Sequence, residues 1–133
     1  MFERVEKFNK EVVKIGDRPM GLLDKSEHLW LVNAIDEEKN ELMQAHNQQD
    51  YIGYIDALVD NLYFTLGGMV RIGLSPKLVE DIFNAVHECN MTKVKGRKSR
   101  VVESDLDATK PEGWVSPEEA IINILEAHNA NNP

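Results

Sequence analysis

The chain has 133 residues and a mass of 15.1 kDa, which predicts one domain large enough to bury a hydrophobic core. Its net charge of −8 argues against broad binding to nucleic acid, which requires basic patches. The sequence has no membrane-length apolar run, no signal-peptide pattern and only one cysteine, so we expect a cytoplasmic protein that does not bind membranes.

The first part of the chain carries two helical patterns. Apolar residues recur every three or four positions between Phe2 and Ile15, which predicts a first helix. Two glycines and a proline within 16–21 then interrupt the pattern. A second helix is predicted to begin near Ser26, a good N-cap residue, and to end near His46.

A third helix is predicted from an N-cap at Asp50 to about Ile72. It is apolar on nearly every face, which indicates the central and most buried helix of the fold. The glycine pair at 67–68 would weaken an isolated helix, so we expect another helix to pack closely there. Gly73 fits the position that follows a helix C-terminus.

A fourth helix and a polar arm follow. Ser75-Pro76 is a helix-start signal, and this helix should end near Met91. The arm, 93–115, is rich in charge, glycine and proline, with a short strand predicted near 100–102.

The last helix is predicted over about 117–128, because Ser116 and Glu119 have the spacing of a capping box. The chain is therefore predicted to be all-α, a bundle of four to five helices with a polar arm before the last helix. We expect one domain over 1–133, with its core at about 26–92.

Two acidic pairs stand on the second and third helices. Glu38 and Glu41 lie about 60° apart around a helix axis, and Asp56 and Asp60 about 40° apart, so each pair projects from one face. A short connector joins the helices, which should pack antiparallel and bring the four carboxylates together. Converging carboxylates need cations between them, and their oxygens suit Mg²⁺ or Mn²⁺.

The alternative for either pair is an ordinary solvated helix face. The metal site is favoured because Asp56 and Asp60 lie within the most apolar helix, where unpaired carboxylates are costly to bury. A site of this kind points to chemistry on phosphates.

The same segments carry a family resemblance. Residues 34–42 (AIDEEKNEL) and 56–63 (DALVDNLY) resemble the signature of MazG-like all-α nucleoside triphosphate pyrophosphohydrolases. This superfamily includes phosphoribosyl-ATP pyrophosphohydrolases and dimeric dUTPases. The resemblance implies a MazG-like helical bundle and a homo-oligomer, either a dimer or a tetramer; the apolar third helix also favours an oligomer.

The resemblance implies that Glu38, Glu41 and Asp60 are magnesium ligands. The commoner family pattern has an acid at the position of Ala57, whereas this chain has Asp56 one residue earlier. The fourth ligand is therefore the point at which the chain departs from the pattern.

A second stretch is similar to a phage and bacterial branch of the superfamily. It comprises residues 86–93 (VHECNMTK) and, after the arm, 111–114 (PEGW). The resemblance implies that Asn90 and Lys93 contact the triphosphate. The alternative is a helix end, at which Asn90 caps and Lys93 interacts with the helix dipole.

Three other features are candidates for substrate binding. Trp30 can stack on a base, although a core position is the favoured interpretation, and weak family resemblance makes Arg18 a candidate base contact. The basic run Lys93, Lys95, Arg97, Lys98 and Arg100 fits either a solvated arm or a segment that folds over phosphates.

These residues together predict a Mg²⁺-dependent hydrolase that converts a (deoxy)nucleoside triphosphate to the monophosphate and pyrophosphate. Glu37 or Glu38 is the candidate base for the attacking water, and Lys93 would stabilise the leaving pyrophosphate. The branch resemblance makes a purine dNTP such as dGTP or dATP a plausible substrate in the cytoplasm of a phage-infected host. The alternatives are a non-catalytic metal-binding or scaffold protein and a hydrolase of a related nucleotide such as phosphoribosyl-ATP.

Overall fold

The computed structural model describes residues 1–96 and 107–132. This part of the chain contains five helices and a two-stranded sheet, which confirms the predicted all-α class. The predicted strand near 100–102 lies outside the described residues. In chain order the elements are α1 (Phe2–Glu11), α2 (Lys25–Asn47), α3 (Tyr51–Arg71), α4 (Pro76–Met91), β1 (Val94–Gly96), β2 (Asp107–Thr109) and α5 (Glu118–Asn131).

The chain divides into two compact units, Met1–Pro76 and Lys77–Pro133. The first contains α1, α2 and α3; the second contains nearly all of α4, the β1–β2 hairpin and α5. None of the helices in the described ranges is long and apolar enough to cross a membrane. The assignment of 1–133 to a single domain stays a prediction.

In the first unit α3 packs against both α2 and α1. Asp50 caps α3 as predicted, since its side chain accepts a hydrogen bond from the Gly53 N–H at 2.9 Å. The predicted cap of α2 at Ser26 is wrong. Asp24 is the N-cap because its backbone is extended there and its carboxylate accepts from the Glu27 N–H at 2.9 Å.

The expected close helix packing occurs at Gly68. A Cβ atom built on Gly68 would lie 2.8 Å from Leu31 Cδ2 on α2, so the absence of a side chain lets the two helices approach. Three buried residues of these two helices are also small: Ala34 and Ala45 on α2, and Ala57 on α3. The α2–α3 pair is therefore held at short range by small side chains.

Gly73 fixes the loop that joins α1 to α2. Its φ is +82°, and a Cβ atom there would lie 2.6 Å from the carbonyl carbon of Pro19. The Gly21 N–H also donates to the Ile72 carbonyl at 3.2 Å. The loop therefore lies directly against the C-terminal end of α3, and Gly73 has the C-terminal position that the sequence predicts.

The prediction that α3 is the most buried helix holds mainly for its C-terminal half, since Ala57 is the one buried residue of the N-terminal half. Gly67, Gly68, Val70 and Arg71 are buried. The N-terminal half presents apolar side chains to the surface of the single chain, with Ile52 at 73% exposure. The other exposed apolar residues of this half are Tyr51, Ile55, Leu58, Val59 and Leu62.

In the second unit β1 pairs antiparallel with β2, with Val94 opposite Thr109. The fifth helix begins at Glu118, in agreement with the predicted start at about 117, and continues to Asn131, beyond the predicted end at about 128. Its N-cap is Pro117, which has no side-chain acceptor, so the predicted Ser116–Glu119 capping box is wrong. Ser116 lies one residue too early, because Pro117 is itself the cap position.

Candidate functional site

The acidic pairs meet around Glu38. Glu38 is only 8% exposed, and Asp60 on α3 is half-buried. Glu37, Glu41 and Asp56 are exposed. The sequence predicts that the two aspartates of α3 are the buried carboxylates. In the structure the buried carboxylate is that of Glu38 on α2 instead.

The electrostatics of Glu38 show which acids surround it. Burial raises the pKa of the Glu38 carboxyl above its ordinary value, and repulsion from neighbouring carboxylates raises it further. In decreasing order of effect, those neighbours are Glu41, Asp60, Glu37 and Asp56. The two helices therefore bring all five predicted acids into one electrostatic neighbourhood, referred to below as the acidic cluster.

The acidic cluster has no cation of its own among the described residues. Lys39 lies between Glu38 and Glu41 on α2, but its ammonium group pairs with Asp36 instead. Some acids elsewhere have a basic partner, as Asp81 does in Lys77 at 2.7 Å. In addition, Glu38 Oε2 is buried and has no hydrogen-bond partner within the described chain. A buried carboxylate oxygen without a partner is unusual and calls for a ligand or a proton.

The carboxylates are neighbours without forming a closed ligand set. Within residues 1–96 and 107–132, no three His, Cys, Asp or Glu side chains stand close enough together to hold a metal ion.

Asp56 is the outlying member of the cluster. It is exposed, and its effect on Glu38 is the smallest of the four. Ala57, at the position where the commoner family pattern has an acid, is 2% exposed. The position that faces into the helix pair is therefore apolar in this chain, and the acid stands one residue to its side.

Arg18 and Trp30 belong to one chain of contacts at the other end of the helix pair. Arg18 donates two hydrogen bonds to Glu27, at 3.0 and 3.2 Å. Glu27 also accepts from Arg71, whose guanidinium carbon lies 4.3 Å from the centroid of the Trp30 ring. Trp30 remains 45% exposed and meets Phe64 edge to face at 6.0 Å.

A cavity of about 220 Å³ opens beside Trp30. The sequence does not predict a role for α1 in a site, because helical periodicity identifies an apolar face but not the helix that it meets. The glycine pair of α3 was the available signal, since Gly67 lines this cavity. The lining residues are Phe8, Asn9, Val13, Trp30, Tyr63, Phe64, Gly67 and Arg71.

Asn90 and Lys93 lie in the second unit, at the end of α4. Asn90 is exposed, and its carbonyl accepts a hydrogen bond from the Lys93 N–H at 3.0 Å. The Lys93 ammonium lies 5.3 Å from the centroid of the Trp114 ring, and that of Lys110 lies 4.6 Å from it. Of the basic run, Arg97, Lys98 and Arg100 lie outside the described residues.

Trp114 closes the arm onto α4. Its indole N–H donates to the Cys89 carbonyl at 3.0 Å. The segment from Pro111 to Val115 thereby forms a cavity of about 490 Å³ with Glu88, Cys89 and Thr92. The PEGW motif thus has a structural role in the second unit, and Lys110 joins Lys93 at the ring without having been singled out from the sequence.

Comparison with known proteins gives one family. The sequence model described as phosphoribosyl-ATP pyrophosphohydrolase matches residues 7–90. The match includes the cavity-lining part of α1, both acidic pairs and Asn90, and ends before Lys93. A search of curated proteins returned no match.

Proposed function

The chain belongs to the phosphoribosyl-ATP pyrophosphohydrolase family of the MazG-like superfamily, and from this premise we propose that it is a Mg²⁺-dependent nucleoside triphosphate pyrophosphohydrolase. The reaction would cleave a (deoxy)nucleoside triphosphate between its α and β phosphates to give the monophosphate and pyrophosphate. The observation that carries this proposal is the buried, unpartnered Glu38 oxygen within an acidic cluster that lacks a cation among the described residues.

The donor set of the acidic cluster fits a hard divalent cation. Glu38, Glu41 and Asp60 would hold Mg²⁺, with Mn²⁺ as a substitute, and Asp56 would be the fourth and weakest ligand. Bound metal would neutralise the triphosphate and lower the pKa of an attacking water. Glu41 and Asp56 are exposed, so binding of the metal would require their side chains to turn toward Glu38 and Asp60.

The chain's own groups would handle the proton and the leaving group. A carboxylate not engaged by metal, Glu37 or Glu38, would accept the proton of the attacking water. Lys93 would stabilise the charge on the departing pyrophosphate, and Asn90 would hold a phosphate oxygen. Basic residues of the arm are suited to the same substrate because its charge is strongly negative.

The exposed apolar half of α3 supports a homo-oligomer. A contiguous apolar face of this kind on a helix is typical of an interface between proteins. We propose a dimer or a tetramer, in which the N-terminal half of α3 is covered by another copy of the chain.

The family description favours a second substrate, phosphoribosyl-ATP. It carries the same phosphate chain on a larger nucleotide, so the acidic cluster would act in the same way. A purine dNTP such as dGTP or dATP remains a candidate from the resemblance to the phage branch. A non-catalytic metal-binding or scaffold protein would bind Mg²⁺ but release no pyrophosphate.

The decisive experiment is a substrate panel. The purified protein is incubated with each NTP and dNTP, dUTP and phosphoribosyl-ATP, with Mg²⁺ or with EDTA, and pyrophosphate is measured. We expect release with Mg²⁺ only, and its loss in Glu41→Gln. Asp36→Asn is the matched control, because Asp36 is an exposed acid of α2 that pairs with Lys39. Absence of pyrophosphate with every substrate would refute the proposal.

A further inference from the structure

The cavity beside Trp30 is built from three helices. Phe8 and Asn9 come from α1, Trp30 from α2, and Tyr63 and Phe64 from α3. Four of its lining residues are aromatic: Phe8, Trp30, Tyr63 and Phe64. The rings of Phe8 and Tyr63 meet edge to face with their centroids 5.4 Å apart. A small aromatic-walled space of about 220 Å³ suits a flat aromatic ligand, which can stack or pack edge-on against such rings.

Two polar groups of lining residues have no hydrogen-bond partner among residues 1–96 and 107–132. Asn9 is 4% exposed, and its amide N–H donates to the Val5 carbonyl at 2.9 Å, which fixes the amide orientation. Asn9 Oδ1 accepts no hydrogen bond from the described residues. Arg71 is 9% exposed, and its Nε–H is buried without an acceptor in the same part of the chain.

Such groups indicate the chemistry of a ligand. Buried polar groups in folded proteins are almost always hydrogen-bonded, so the buried Arg71 Nε–H, which has no acceptor among the described residues, needs explanation. Asn9 Oδ1 adds an acceptor on another lining residue of the same cavity. A ligand that presents both an N–H donor and a ring nitrogen or carbonyl acceptor would satisfy them. The edge of a nucleobase has this combination, on a flat ring that fits the aromatic walls.

The cavity also lies at a suitable place along the helices. Phe64 follows Asp60 by one turn of α3, about 6 Å along the axis. Trp30 precedes Glu38 on α2 by just over two turns, about 12 Å. Because α2 and α3 run antiparallel, both helices lead from the acidic cluster toward the cavity. A nucleotide has the same layout, with a base at one end, phosphates at the other and a sugar between them.

We propose that the cavity lined by Phe8, Asn9, Trp30, Phe64 and Arg71 binds the base of the nucleotide substrate, with Asn9 Oδ1 accepting a hydrogen bond from an N–H of the base. The proposal rests on the proposed function for the identity of the ligand. It goes beyond that function in assigning base recognition to α1, which carries none of the carboxylates of the acidic cluster.

Binding can be measured without metal or turnover. In a Trp114→Phe background Trp30 is the only tryptophan, because the chain has two. Its fluorescence is followed while deoxyadenosine, deoxyguanosine, deoxycytidine, thymidine or deoxyuridine is added in EDTA. We expect saturable quenching by at least one nucleoside, and a Kd at least 10-fold weaker in Asn9→Leu, which retains volume and removes the acceptor.

The matched control is Asn33→Leu, an exposed asparagine of α2 that does not line the cavity. It should leave the nucleoside Kd unchanged. Equal Kd values for the Asn9→Leu and Asn33→Leu proteins, or quenching by none of the five nucleosides, would overturn the proposal.

A second variant fills the cavity. A Cβ atom on Gly67 would lie 3.5 Å from Asn9 Nδ2 and 4.0 Å from Val5 Cγ1, which are ordinary contacts, so a side chain can start there. Gly67→Leu should keep the thermal midpoint at or above that of the wild type. It should lower kcat/KM for the preferred nucleoside triphosphate at least 10-fold, whereas Asn33→Leu, outside the cavity, should leave that value unchanged.

The two measurements separate the two proposals. If no triphosphate is hydrolysed, the proposed function fails, while nucleoside quenching that is sensitive to Asn9→Leu still establishes the base site. If the wild type hydrolyses nucleoside triphosphates and tripolyphosphate with equal kcat/KM, the enzyme stands and base recognition by the cavity is refuted.

Discussion

Arg71, in the last turn of α3, lies over the ring of Trp30 on α2, with its guanidinium carbon 4.3 Å from the ring centroid. The same guanidinium donates to Glu27 in the first turn of α2. One buried cation thus ties the start of α2 to the end of α3 and covers one part of the indole. A cation over an aromatic ring in a desolvated place contributes about 2 kcal/mol.

Replacing Arg71 should destabilise the protein more than replacing the other partner of Glu27. Arg71→Met removes the buried ion pair and the contact with Trp30, and we expect the free energy of unfolding to fall by about 3 kcal/mol. Arg18→Met removes an exposed ion pair with the same carboxylate and should change it by less than about 1 kcal/mol. Urea unfolding of both variants measures the difference, and equal losses would contradict the assignment.

Gly73→Ala should be more damaging than Gly113→Ala. Both glycines have positive φ, so each alanine stores about 1 kcal/mol of backbone strain. A Cβ at Gly73 also meets the Pro19 backbone at 2.6 Å, whereas at Gly113 it meets nothing within 4 Å. We expect the thermal midpoint to fall clearly further for Gly73→Ala. A larger fall for Gly113→Ala would mean that the loop does not pack on Gly73.

Without metal, Glu38→Gln should raise the free energy of unfolding at pH 7. Burial, followed by repulsion from Glu41 and its acidic neighbours, raises the pKa of Glu38 above its ordinary 4.5. The folded chain therefore binds more protons than the unfolded chain above about pH 4.5, and this carboxylate reduces stability as the pH rises.

Urea titrations in EDTA at pH 4.5 and pH 7 measure this effect. The advantage of Glu38→Gln over the wild type should be larger at pH 7, and a constant difference would contradict it. Asp36→Asn, an exposed acid outside the cluster, should show at most a few tenths of a kcal/mol at either pH. Added Mg²⁺ should raise the thermal midpoint of the wild type and not that of Glu38→Gln.

The acids of the cluster should differ in their effect on turnover. Asp60→Asn is expected to lower kcat by about 100-fold or more, because Asp60 is half-buried next to Glu38 and is a proposed metal ligand. Asp56→Asn should lower it less, since Asp56 is exposed and acts most weakly on Glu38. Steady-state pyrophosphate release measures both values. Equal losses would place Asp56 within the metal site despite its position.

Charges on the apolar half of α3 should dissociate the oligomer. Ile52, Ile55, Val59 and Leu62 recur at helical spacing and are all exposed in the single chain. The double variant Ile52→Lys with Val59→Lys should be monomeric in light scattering at micromolar concentration. Val115→Lys, at an exposed apolar residue of the second unit, is the control and should keep the wild-type mass. A monomeric wild type would contradict the predicted assembly.

Sequence reasoning succeeded where the physics is local. Asp50 caps α3 and Gly73 has positive φ, since a cap or a turn depends on a few adjacent residues. It failed at Ser116 because proline in the next position can itself be the cap. It also placed the buried acid on α3, because the rotation of each helix about its own axis is set by packing, and Ala57 rather than Asp56 faces inward.

The proposed base site involves α1, whereas the acidic cluster lies on α2 and α3, and this separation has an evolutionary consequence. Phe8 and Asn9 reach the cavity from a helix that supplies none of the clustered acids, and α1 packs on α3. If the cavity binds the base as proposed, substitutions in this one helix would alter the preference for a base while the clustered acids stay unchanged. Related enzymes would then diverge in the nucleotides they consume through changes confined to α1.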